Sequence, residues 1–358
     1  MSVNRGTVDK GTALPWRAAM RAALYGPAGF YTGPRAAGPA AHFRTSPHVA
    51  ESFAAALWRL IWFLDIELGS PSRLDVVDMA AGNGELLTQL SYYAAAHPGN
   101  LARRAKLTGV ELRERPVELP DDIKWTHQLS ELSEIDGLLI ANEWLDNVPL
   151  DIAELDDEAV ARLVTVNTAT GEQQLTEPLS RTDDVWLAHW WPLRNPGDRA
   201  ELGHTRDAAW RHTVDSVRCG VALAIDYGHV RGTRPPLGTL TGYADGHQAR
   251  PVPDGRCDIT AHVAVDAVVA ACSQADAETI VTRQREALRA LGIRDIHPSI
   301  ELAHSDPAEY LRSLVAASHC AELTDQSGLG NFWWIAQPVG LSAASQQRLA
   351  QRIGAVSC

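Results

Sequence analysis

Residues 76–86 read VVDMAAGNGEL: an apolar run ending in Asp78, then a turn with Gly82 and Gly84, then the opening of a helix. Such a turn lets a ligand approach the backbone closely and aims the positive end of the helix at an anionic group. A dinucleotide fingerprint needs a third glycine for its pyrophosphate, and Leu87 stands in that place. S-adenosylmethionine (SAM) carries no pyrophosphate. It requires close backbone approach at its amino-acid end and an acid at the end of the next strand for its ribose hydroxyls. Glu111, in TGVEL, is placed to be that acid, and Asp78 can pair with the methionine ammonium. A strand–turn–helix glycine pair alone is often only a turn, so Glu111 carries much of the inference. Cofactor contacts are expected at Asp78, Ala80, Gly82, Asn83, Gly84 and Glu111. Alanine at 80, where such turns usually have glycine, costs little provided its φ is negative.

A second acidic edge follows in LLIANEWLDNVPLD, residues 138–151. A buried strand there delivers Asn142 and Glu143 to its C-terminal end, where ligands of open α/β sheets gather. Trp144, Asp146 and Pro149 shape the loop beyond. Carboxylates in that place can clamp a guanidinium by paired hydrogen bonds and hold one nitrogen toward a methyl donor. On this reading Glu143 and Asp146 are catalytic, Asn142 contacts the cofactor and Trp144 the acceptor. The plainer alternative has Asn142 and Glu143 capping the following turn, with Asp146 solvated.

The elements that must position these groups alternate along the chain. WRAAMRAAL (16–24) has helical apolar spacing, and residues 46–68 form a long helix with Ser46 as N-cap and Pro47 in its first turn. LDVVDM, KLTGVEL, IKWTH, IDGLLIANE and GVALAIDYG read as strands, with helix GELLTQLSYYAAAH after the first. That order predicts an α/β fold, a Rossmann-like parallel sheet with helices on both faces. Expected regions are 1–70 as an N-terminal helical cap, 71–150 as the cofactor half of the core, 151–216 as an insertion subdomain and 217–358 as the second half. DITAHVAVDAVVAACSQA and TIVTRQREALRALGI read as helices, GNFWWIAQPV as a closing edge strand.

These blocks carry a resemblance. YGPAGFYT with HFRTSPHVAESFAAAL, VVDMAAGNGEL, IANEWLDNVP, and ALAIDYGH with GTLTGYADGH and DITAHV are similar, in order, to the MidA-like SAM-dependent methyltransferases. The mitochondrial members of that family are arginine methyltransferases that assist assembly of respiratory complex I. The resemblance covers about residues 20–340 and implies that the sheet is of the class I methyltransferase kind. It also implies an acceptor surface including Tyr31, Thr45, Ser46, Asp226 and Tyr227, with His247, Asp258, Thr260 and His262 near the sheet edge. The chain departs from the family pattern at His42, His48, Ala80 and Asn83, which bears on the choice of acceptor. Transfer to a protein arginine is the first expectation. A small-molecule acceptor and a non-catalytic SAM-binding assembly factor are the alternatives.

Composition narrows the partners. A formal net charge of −12 opposes broad contact with phosphate backbones. The five cysteines are scattered and form no C-x-x-C pair, and no apolar run reaches the roughly 18 residues needed to cross a bilayer. A cytoplasmic protein without membrane or nucleic-acid partners is expected, with a homodimer left open. No metal is expected: Asp258 and His262 would share a helical face, but no third ligand supports them. His229 is a candidate proton acceptor, and Trp186, Trp190 and Trp191 read first as core of the insertion.

Overall fold

The run Leu74–Met79 forms an inner strand of a seven-stranded sheet in the computed structural model, which describes residues 11–33, 46–49, 51–272, 278–294 and 298–355. The strands of this sheet, in chain order, are β1 (Leu74–Met79), β2 (Ala105–Val110), β3 (Lys124–Thr126), β4 (Ile135–Asn142), β5 (Val217–Asp226), β6 (Ile280–Arg283) and β7 (Trp333–Val339). Their spatial order is β6-β7-β5-β4-β1-β2-β3. β1 to β5 run parallel, and β7 is antiparallel to both β5 and β6. This is the class I methyltransferase arrangement expected from the sequence.

Both faces of the central strands are buried, which is why β1, β4 and β5 read as continuous apolar runs. Val76, Leu138, Ile140, Val221, Leu223 and Ile225 share one core with Leu57, Leu60, Ile61 and Leu64 of helix α1 (Glu51–Glu67), and with Leu86, Leu87 and Leu90 of helix α2 (Glu85–Ala96). Val77, Leu139, Ala141, Ala222 and Ala224, of the opposite parity, are equally buried.

Two readings of the chain beyond residue 278 change. β7 is an inner strand, because β6 adds outside it. TIVTRQREALRALGI divides into β6 and a helix from Gln284 to Ala290, the β-branched Ile280, Val281 and Thr282 favouring the pleated surface.

The chain divides into two compact units that interleave in sequence. The sheet belongs to the unit made of Phe43–Asp146, Asp207–Gly228 and Val268–Cys358. The other gathers Met1–His42, Asn147–Arg206 and His229–Ala267. These boundaries differ from the expected 70/71, 150/151 and 216/217. The insertion does not close on itself. Its strand Ala161–Asn167 pairs with the N-terminal strand Ala13–Pro15, and Trp16, Met20 and Leu24 of helix Trp16–Tyr25 share a core with Ile152, Val164, Val166, Cys257 and Ile259. Trp186 and Trp191 are buried in a third cluster with Ala153, Ala200 and Leu202. Among the described residues no helix is long and apolar enough to cross a membrane.

Candidate functional site

Register brings the predicted residues to one edge. Val110 and Ala141 both pair with Met79, Asn142 pairs with Ile225, and Asp226 pairs with Trp333. The chain therefore leaves four adjacent strands at Ala80, Glu111, Glu143 and Tyr227 along the carboxyl ends of the parallel strands.

At the first of these exits the turn is held by Ala80 N–H donating to Val110 O at 2.8 Å and Gly84 N–H to Ala81 O at 2.7 Å. Gly82 and Gly84 have φ of +62° and +79°, a region that favours glycine. A Cβ on Gly84 would lie 2.4 Å from Leu119 Cδ1. Ala80 does not meet the condition set by its sequence: its φ is +59°, so alanine here bears left-handed strain. Asn83 is fixed by Glu85, which accepts from its backbone N–H and its side-chain amide, each at 2.9 Å.

Three carboxylates surround this turn. Glu111 accepts from Gly82 N–H at 3.1 Å and from Arg113 N–H at 3.2 Å. Asp78 is only 4% exposed, and burial, then the charges of Glu85 and Glu111, hold its carboxyl well above the usual range. A buried acid beside two others is favoured in its charged form by an incoming cation. Together with the Cβ-free backbone, this fits SAM, which carries an ammonium and a sulfonium.

The second exit is more tightly tied. Glu143 takes a φ of +51°, its N–H donates to Ile225 O at 2.8 Å, and its Oε1 accepts from Asn142 Nδ2 at 3.1 Å. Asn142 Oδ1 is buried without a hydrogen-bond partner. Asp226, 1% exposed, accepts from Asp146 N–H at 3.2 Å through Oδ2 and from Tyr227 N–H at 2.9 Å through Oδ1. Asp146 is itself 4% exposed, and the Tyr227 hydroxyl donates to its Oδ2. The expected pairing of Glu143 with Asp146 thus becomes a half-buried Glu143 and an enclosed Asp146. Trp144, half-buried, follows Glu143 in the turn.

The remaining predicted residues stand on other elements. Thr45 and His42 fall outside the described residues. Ser46 is fully buried and its hydroxyl engages Gln284, so it is not presented to a ligand. Tyr31, in the other unit, donates to Asn147 Oδ1 at 3.1 Å. His247 is exposed at a strand start, while Asp258 and Thr260 belong to strand Asp258–Thr260 and are buried. No helix carries Asp258 and His262 on one face: Asp258 instead accepts from Asn147 Nδ2 at 2.8 Å. Arg234 Nη1 lies 2.5 Å from His229 Nδ1, and burial, then Arg234 and His262, lowers the His229 pKa to about 3, which opposes a role as proton acceptor. Among the described residues no group of three or more His, Cys, Asp or Glu could hold a metal ion.

Sequence reasoning missed part of this edge. Trp333, opposite Asp226, carries the Arg283 guanidinium 3.3 Å from its ring centroid, and Phe332 packs on Tyr227 at 5.4 Å between ring centroids. The aromatic pair in GNFWWIAQPV was the available signal, obscured by reading that strand as an edge.

Comparison with known proteins agrees with this fold. Residues 56–282 match a family described as "Putative S-adenosyl-L-methionine-dependent methyltransferase". The fold is similar to that of a COG1565 superfamily member from Burkholderia thailandensis bound to S-adenosyl-homocysteine, at 24% identity and a TM-score of 0.75, over 93% of this chain and 89% of that one. A native crystal structure of a COG1565 superfamily protein from the same organism aligns at 24% identity and a TM-score of 0.74, over 94% and 90%. No curated protein matches the chain. With more than half of its length matched by the family model, the chain belongs to this MidA-like family of SAM-dependent methyltransferases.

Proposed function

We propose that the protein transfers a methyl group from SAM to a nitrogen of a protein arginine, with Glu143 holding the acceptor. SAM would be held by Asp78 at its ammonium, by the backbone of Ala80, Gly82, Asn83 and Gly84, and by Glu111 at its ribose hydroxyls. The observation that carries this reading is Glu143 itself, a non-glycine residue at positive φ whose backbone and carboxylate are both tied down at the carboxyl edge of the sheet. Such strain persists where the surroundings over-determine it, and it concentrates at functional sites. A carboxylate so placed can hold a guanidinium by charge-assisted hydrogen bonds and take the proton that the reacting nitrogen loses. When bound, SAM supplies the methyl: the nitrogen lone pair forms the new N–C bond, the C–S pair returns to sulfur, and the displaced proton leaves through Glu143.

The test is incubation with methyl-labelled SAM in an extract of the protein's own host. The wild type should label protein in arginine side chains. Glu143→Gln should bind SAM with similar affinity and lose label transfer by about a hundredfold or more, the scale of a missing general base. Undiminished labelling by this variant would refute the role of Glu143.

A further inference from the structure

We infer that Asn142 belongs to the methyl acceptor and not to the cofactor, and that with Glu143 it selects an acceptor nitrogen bearing at least two N–H groups. This deepens the transfer reading above and rests on it. Asn142 and Glu143 are consecutive at the end of β4. The amide Nδ2 donates to Glu143 Oε1 at 3.1 Å, and Oδ1 is left buried with no partner. The opposite amide orientation would set an oxygen against the carboxylate, so the bond to Glu143 fixes which atom is left over. With one amide hydrogen given to Glu143, this stretch of the edge presents two acceptors side by side, a neutral amide oxygen and an anionic carboxylate.

The chemistry of the ligand follows from that inventory. An unpaired buried acceptor costs about 1–3 kcal/mol, which an incoming N–H can recover as the amide turns toward it. A guanidinium, or an amine that binds protonated and gives one proton to Glu143 before transfer, brings two or more donors and a positive charge, and can bond to Oδ1 and the carboxylate at once. A hydroxyl brings a single donor, and a carboxylate or phosphate brings none and is repelled by Glu143.

The experiment compares wild type with Asn142→Leu and Asn142→Gln by calorimetric SAM binding, melting temperature and label transfer from methyl-labelled SAM into host extract. The leucine removes the acceptor at similar volume, while the glutamine keeps both an amide donor for Glu143 and an acceptor oxygen. SAM affinity should stay within about threefold in both variants, less than 1 kcal/mol. Label transfer should fall about tenfold or more in Asn142→Leu, the cost of one lost charge-assisted contact, and be recovered in good part in Asn142→Gln. The label should resist mild base, as N-methyl groups do and methyl esters do not.

Loss of SAM binding in Asn142→Leu would overturn the inference, assigning Oδ1 to the cofactor. Full transfer by Asn142→Leu, or a base-labile label, would also overturn it. A wild type that binds SAM and labels nothing defeats the transfer reading itself, and this inference with it.

Discussion

At the scale of single residues, two positions carry measurable consequences. Left-handed backbone costs a non-glycine residue about 1–2 kcal/mol, and glycine gives back part of that through its freer unfolded chain. Ala80, at φ +59°, should therefore yield a net gain of about 0.5–1 kcal/mol in urea unfolding on Ala80→Gly. An unchanged or lower stability would mean that the turn relaxes around alanine. Asp78 makes a pH prediction. Its carboxyl is raised by burial and by Glu85 and Glu111, so the free protein keeps it protonated to higher pH than an ordinary aspartate. Without ligand, the stability it contributes is fully present below the unfolded value and is lost as pH rises through the raised one. A bound ammonium favours the charged carboxylate, so SAM affinity should rise with pH over that window and binding should release a proton. Calorimetry in buffers of different ionisation enthalpy reads the proton directly; Asp78→Asn should abolish both effects, and a flat profile in the wild type would contradict the pairing.

Elements explain why these residues stand where they do. The turn after β4 is clamped to the end of β5 by one carboxylate, since Asp226 accepts from the backbone of both Asp146 and Tyr227. Asp226→Asn leaves one of those buried donors facing an amide, which should cost about 1–3 kcal/mol in unfolding free energy. SAM affinity should hold while methyl transfer falls, because the change loosens the strand end that carries Glu143 and leaves the glycine turn intact. Equal stability of variant and wild type would remove Asp226 from its positioning role. The strands themselves were legible in the sequence, because apolar runs between β-breaking residues leave little else to be. The clamp was not, since it is made of backbone N–H groups and one buried side chain, and neither leaves a mark on residue order. The same limit applies to Ala80: its residue type is visible in the sequence and its φ is not. Strand Asp258–Thr260 was mistaken for a helix start because DITAHV mixes β-branched and helix-forming residues. Its pairing with Thr241–Ala244, set by sequence-distant contact, decided the outcome.

For the whole molecule, alternation of strand and helix reveals the sheet but not the interleaving of the two units. The chain passes between them after His42, Asp146, Arg206, Gly228 and Ala267, so neither unit is a continuous segment. Pairing of Ala13–Pro15 with Ala161–Asn167 creates part of that interleaving, and three-residue strands carry too weak a pattern to reveal their distant partner. One thermodynamic consequence can be measured. A ligand at a hundred times its dissociation constant adds about 2.7 kcal/mol to whatever unfolds with its site, and a chain of 358 residues melting as one unit gains about 1.3 °C per kcal/mol. S-adenosylhomocysteine, which binds without reacting, should therefore raise the melting temperature by about 3–4 °C at that excess. Because each unit contains chain segments that enter and leave the other, unfolding one constrains segments of both. A single calorimetric transition that moves as a whole is expected. Two transitions of which only one responds would show the units to be thermodynamically separate in spite of their shared connections, and no response at saturating ligand would exclude the glycine turn as the cofactor site.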